Sequence, residues 1–299
     1  MKFLRAQLQR LTEFFEQVDR FSLLGYLTLF MLVFFGPNEW FALPIYQIAL
    51  LFSLLASKML RSPVLWGMLS IVTFVALFDF WEMVDNHMWL MLYWLLVMFF
   101  ATLSSRMYKT DTLDFLKHNA IFILIFTMGI SVLQKILGGV FMNGSFFEFT
   151  ILTDERFYLI AHYLGGISTF DFFNNVDMLS NVADPYSPLV IKTSNAVRTV
   201  SLIFTYSIVL LEALIAALLI FKNKKARLWA HIVNALFIIT VYFVAPVYAF
   251  AFLIAVLAIA TLDTDRPSSK LILMYLALMI LIFLYKVPWF SLVVYFSNI

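Results

Sequence analysis

The sequence predicts an all-α, polytopic transmembrane helix bundle, and three observations carry that reading. Of its 299 residues 63% are hydrophobic and only 13% are charged; soluble domains hold roughly half apolar residues and about a quarter charged ones. The apolar residues form long runs separated by short polar breaks, as membrane helices require. The basic residues alternate from break to break. Cysteine is absent, which excludes disulfides, thiol catalysis and cysteine-ligated metals. The four histidines, 87, 118, 162 and 231, have no metal-ligand spacing, and no metal is expected. Nothing suggests nucleic-acid binding.

The first twenty residues mix Lys2, Arg5, Arg10 and Arg20 with Glu13, Glu16 and Asp19. That is not the charge pattern of a cleavable signal peptide. Leu4, Leu8, Leu11, Phe15 and Val18 share one helical face, so 1–20 reads as an interfacial helix on the membrane surface. Nine spans follow, at 21–36, 40–57, 63–80, 87–104, 118–137, 198–221, 228–244, 246–262 and 270–287. Several approach the lower length limit, roughly 17 residues, for crossing the hydrocarbon. The run 228–262 is too long for one span and is divided at Ala245-Pro246.

With the N-terminus inside, the inner breaks hold Lys58, Arg61, Arg106, Lys109, Lys117, Lys222, Lys224, Lys225, Arg227, Arg266 and Lys270. The outer breaks near 37–39, 81–86 and 245 hold no lysine or arginine. This asymmetry fits the positive-inside rule and leaves the C-terminus outside. The long break 138–197 is then an outer loop with membrane-surface segments, because "GSFFEFTILTDERFYLIAHYLGG" is aromatic and weakly polar. Its later part, "NNVDMLSNVADPYSP", reads as turns. The whole chain, 1–299, reads as a single transmembrane domain without internal repeats. A bacterial cytoplasmic membrane is the expected location.

Ionisable groups at membrane depth are costly and mark candidate sites. Lys135 closes the run "MGISVLQKILGG". It lies about 24 Å along its span at roughly 1.5 Å per residue, near the outer interface. It is either a snorkelling lysine or one held in a partly dry pocket, where burial favours the neutral amine and makes it a base. In "DFWEMVDNHMW", Asp79, Glu82 and Asp85 read as a solvated acidic loop. His87 begins an apolar span there and is suited to hydrogen-bond a small ring ligand. Glu212 lies deep in "IVLLEALIAALLIF". It must face the interior and be paired or protonated, so a structural role is favoured for it. His231 and Asn234 are one turn apart on one helix face, and with Gln134 and Asn119 they suit helix–helix hydrogen bonds. Lys286, before Pro288-Trp289, reads as an interfacial anchor. Asn143-Gly144-Ser145 matches a glycosylation sequon.

Four segments, in order along 80–262, resemble the vitamin K-dependent gamma-carboxylase family and its bacterial relatives, the horizontally transferred transmembrane (HTTM) proteins. "DNHMWLMLYWLL" resembles the family's Asn-His element. "SVLQKILGGVFMNGSFFEFTILTDERF" resembles its lysine segment. "SIVLLEALIAALLIF" resembles its acidic helix, and "HIVNALFIITVYFVAP" its His-x-x-Asn helix. The chain is similar to a short form without the large C-terminal extramembrane region of the animal enzymes.

The resemblance implies that Lys135 takes a proton from a reduced quinone, vitamin K hydroquinone or menaquinol. His87 would act with it, Asn86 would support His87, and His231, Asn234 and Gln134 would line the ligand site. Glu212 would orient its helix. One departure stands out: Arg227, four residues before His231, puts that histidine near the inner face and away from Lys135. Three functions are therefore expected as alternatives. The first is a carboxylase/oxygenase-like enzyme of this class acting on a lipid-soluble small molecule. The second is a non-catalytic quinone-binding or redox-partner membrane protein, with 138–197 docking an extracytoplasmic partner. The third is a transporter or structural membrane component. The transporter expects two matching halves with broken helices, which the sequence does not display.

Overall fold

The computed structural model describes residues 18–79, 81–82, 85–181, 190–244, 247–263 and 268–286. The chain is all-helical, with no strand among the described residues. The helices are α1 (Arg20–Phe35), α2 (Ala42–Leu55), α3 (Pro63–Phe78), α4 (Asn86–Tyr108), α5 (Thr112–Leu137), α6 (Ser145–Thr153), α7 (Thr169–Ser180), α8 (Asn195–Ile220), α9 (Lys224–Val244), α10 (Tyr248–Ala260) and α11 (Ser269–Lys286). Short 3₁₀ and π turns occupy Ser57–Arg61, Glu155–Phe157 and Ile160–Leu164. The 1–20 interfacial segment falls almost wholly outside the described residues, as do the Ala245-Pro246 break and the tail beyond Lys286; of the Lys286 side chain nothing is described.

Local chemistry sets the helix ends. Pro63 starts α3, where its missing N–H has no intrahelical partner to lose. Side-chain oxygens of Asp111, Ser168, Ser194 and Asn223 accept backbone N–H bonds at the starts of α5, α7, α8 and α9. Gly36 and then Pro37 end α1.

The contacts cluster into two compact units, Met1–Leu124 with Val247–Ile299, and Ile125–Pro246. In the first, α1 packs on α2 and α10, α3 runs along α4, and α10 packs on α4 and α11. α10 is apolar all round, and nearly every residue of it is buried, as befits a central helix. Its buried carbonyl end is closed by Arg20, which is itself 7% exposed. The guanidinium donates to the carbonyls of Ile259 at 2.8 Å, Leu262 at 2.6 Å and Asp263 at 2.5 Å. A cation there also meets the negative end of the helix dipole. Buried polar rings find partners in the same way: Trp94 Nε1 donates to Thr28 Oγ1 at 2.9 Å and Trp66 Nε1 to the Leu60 carbonyl at 2.6 Å.

In the second unit α8 packs against α9 and α6, and α6 against α7. The sequence reading of turns beginning at Asn174 is corrected here: α7 continues through Ser180. The reason is a polar anchor. Asn175 is fully buried and exchanges two hydrogen bonds of 3.0 Å with the backbone of Lys192, while Phe172 buries one turn earlier. In the first turn of α7, Asp171 is bonded by the Lys192 ammonium, which holds its carboxyl below the ordinary range.

Among the described residues three helices, α4, α5 and α8, are long and apolar enough to cross a membrane. The shorter apolar helices α1, α2, α3, α10 and α11 occupy five of the other expected spans. At 13 residues, α10 covers only roughly 20 Å. Replacing Arg20 with alanine orphans the carbonyl end of α10. It is expected to cost about 3 kcal/mol, read as a lowered thermal unfolding midpoint in detergent, whereas Arg198→Ala, at an exposed position, is expected to leave the midpoint in place.

Candidate functional site

The second unit brings together the two charges that stand alone in their apolar runs. Lys135, in the last turn of α5, and Glu212, about two thirds of the way along α8, meet as an ion pair. The Lys135 Nζ donates to Glu212 Oε1 at 2.6 Å and Oε2 at 2.7 Å. Its third donor goes to Ser131 Oγ, one turn earlier on α5, and that hydroxyl donates to Glu212 Oε1 at 3.1 Å. All three donors of the ammonium therefore have acceptors. The side chains are 19% and 5% exposed. Taking two charges out of water is expensive unless such bonds compensate. Glu212 is thus interior and paired, as its position in an apolar run demands.

An aromatic wall stands beside the pair. The Phe141 ring centroid lies 5.4 Å from Nζ, within cation–π range. Phe141 packs on Phe146 and Phe147, each at 5.4 Å, and Phe147 reaches Phe204 of α8 at 6.0 Å. The turn between α5 and α6 sets these rings. Gly144 adopts φ +83° just before α6, a left-handed conformation that favours glycine. A Cβ there would lie 3.0 Å from the Leu202 side chain, so the turn sits tight on α8. Asn143 Oδ1 accepts the Ser145 N–H at 2.9 Å; the sequon asparagine is thus the first residue of an Asx turn.

The other sequence-derived candidates distribute as follows. His231 and Asn234 are both buried, at 6% and 2% exposure, on one face of α9, which packs on α8. Gln134 is exposed on α5. His87 and Asn86 belong to the first unit, in the opening turn of α4. The His87 side chain is 12% exposed, 3.9 Å from Asp85 and 6.4 Å between ring centroids from Phe250. Asn86 is exposed, as are Asp79, Glu82 and Asp85. Among the described residues no group of histidines and carboxylates could hold a metal ion.

Sequence reasoning treated Lys135 and Glu212 separately and missed both Ser131 and the Phe141 wall. The usable signal was charge complementarity: one acid and one base in apolar runs, each without an opposite charge within a turn on its own helix. Ser131 was legible as the residue four before Lys135, on the same helix face.

No family model matches the chain, and no curated protein or solved structure is significantly similar to it.

The pairing has a thermodynamic signature. Lys135→Met or Glu212→Leu alone strands a buried charge and is expected to cost about 3 kcal/mol. The double substitution is expected to restore stability to near the starting value, so a double-mutant cycle by thermal unfolding in detergent returns a large coupling energy.

Proposed function

We propose that this chain is an integral membrane protein, N-terminus inside and with nine spans, in which the Lys135–Glu212 pair accepts a proton from a reduced quinone or similar lipid-soluble molecule. The observation that carries this reading is an ion pair placed in apolar surroundings next to an aromatic wall. The alternation of basic residues between breaks supports the topology, and a bacterial cytoplasmic membrane suits it. The three long apolar helices are in keeping with it.

The residues present fit such a ligand. A quinol offers a flat ring and a weakly acidic hydroxyl. The Phe141 and Phe146 rings are suited to the flat ring. In the ion-paired state the proton acceptor is the carboxylate, so Glu212 takes the proton at Oε1 or Oε2. The Lys135 ammonium then faces a neutral acid and is freed to offset negative charge on the ligand oxygen. Ser131 Oγ keeps both groups in register. On this reading the base assigned to Lys135 is the pair, with Glu212 chemical rather than only orienting. His231 and Asn234, in the same unit as the pair, remain proposed ligand-side groups, and 138–197 keeps a proposed docking role for an extracytoplasmic partner. The gamma-carboxylase-like resemblance supports the choice of a quinol over other lipid-soluble molecules.

A second reading is favoured by one specific observation: all three ammonium donors already have acceptors within the chain. On that reading the pair joins α5 to α8 and does no chemistry.

One experiment separates the two. The protein is reconstituted in liposomes with vitamin K hydroquinone or menaquinol in air-saturated buffer, and quinol binding and its two-electron oxidation by dissolved dioxygen, which takes the electrons once the quinol has lost its proton, are followed. The double variant Lys135→Met/Glu212→Leu keeps the helices joined. The proton-acceptor reading expects its turnover to fall at least about 100-fold, with Lys192→Ala unaffected. Turnover preserved in the double variant would leave only the structural role, and absence of any quinol binding by the unaltered protein would exclude the proposal.

A further inference from the structure

The first unit holds a second site, unrelated to the Lys135 chemistry. A pocket of about 320 Å³ opens where the Ser57–Arg61 turn meets the C-terminal part of α4. Three cations line it, Lys58, Arg61 and Arg106, and no carboxylate does. Hydroxyls of Ser62, Thr102 and Ser105 complete its polar wall. Its floor is apolar, with Phe21, which is 2% exposed, beneath the guanidinium of Arg61 at 5.5 Å.

The cations are not consumed by the fold. Among the described residues Arg61 forms one ion pair, with Asp19 at 2.9 Å, and Asp19 lies outside the pocket wall. Among the described residues neither Lys58 nor Arg106 forms an ion pair. Ser62 precedes α3 in the N-cap position, yet its side chain makes no capping bond, so its hydroxyl is available. The amide end of α3 adds a positive partial charge to the same wall. Three formal positive charges call for a ligand group able to answer more than one of them. Two guanidinium forks match the oxygens of a phosphate. The volume is at the small end for ligand pockets, enough for a headgroup and not for a cofactor. The residues belong to the basic inner breaks, which meet the anionic leaflet in the proposed topology.

We propose that this pocket binds a phosphate group, carried on an anionic phospholipid headgroup or present as free phosphate. Two arms identify the source. In the first, native mass spectrometry compares retention of phosphatidylglycerol and phosphatidylcholine by the detergent-purified protein. In the second, thermal unfolding compares inorganic phosphate with chloride at equal ionic strength. Lys58→Gln and Arg106→Gln are measured beside Lys222→Gln, an exposed inner-break lysine outside the pocket. Unfolding midpoints without ligand check that the variants fold.

The proposal expects phosphatidylglycerol to be retained over phosphatidylcholine, with each pocket variant weakening retention about tenfold and Lys222→Gln leaving it unchanged. Stabilisation by inorganic phosphate, lost in the same two variants, would identify free phosphate as a ligand; retention of the lipid without that stabilisation would assign the site to the headgroup. Equal retention of both lipids with no effect of phosphate would overturn the proposal. So would an equal loss in Lys222→Gln, which would reduce the attraction to general surface charge.

Discussion

An ammonium and a carboxylate in apolar surroundings have to find each other, and much of the second unit is arranged around that requirement. Lys135 and Glu212 are 77 residues apart in sequence, on helices with little else polar near the contact. Once they meet, α5 and α8 are fixed in rotation and register at that point, because a shift of one residue on either helix would turn a charge away from its partner and toward apolar side chains. The Ser131 hydroxyl and the Phe141 ring gain their positions from the same constraint. The tight Gly144 turn against Leu202 brings α6 and its phenylalanines back along α8.

The first unit obeys the same rule through different chemistry. Its buried charge, Arg20, turns its two terminal nitrogens on the open carbonyl end of α10. That solution removes two problems together, a buried cation and a helix end without acceptor partners. It also accounts for an apolar helix as short as α10: its C-terminus needs neither water nor headgroups, because a side chain from α1 closes it.

Sequence legibility followed the physics. The apolar runs of α4, α5 and α8 are long and uninterrupted, so element type and approximate limits were readable from hydropathy alone. Ends were less so: α5 begins at Thr112 and not 118, because Asp111 caps the backbone ahead of the apolar run. α7 was hidden because its sequence, "TFDFFNNVDMLS", is rich in turn-forming residues, and the burial of Asn175 against Lys192 is a long-range fact that no local pattern encodes. Arg20 was read among surface charges of the 1–20 segment, since nothing in its neighbours announces a partner about 240 residues away. For Glu212 the demand for a partner was legible and the identity of the partner was not. Pairing is a tertiary choice among several cations, and only the folded chain makes it.

The central claim is that Glu212 is ionised beside Lys135 and receives the ligand's proton. Isotope-edited infrared difference spectroscopy on the reconstituted protein tests it directly, using labelled glutamate and a Glu212→Gln control to assign the bands. The account predicts carboxylate bands from Glu212 in the absence of ligand, converting to the carbonyl band of a protonated acid when vitamin K hydroquinone or menaquinol is added. A Glu212 that is already a protonated acid before ligand arrives, or a carboxylate signal unchanged by bound quinol, would contradict it.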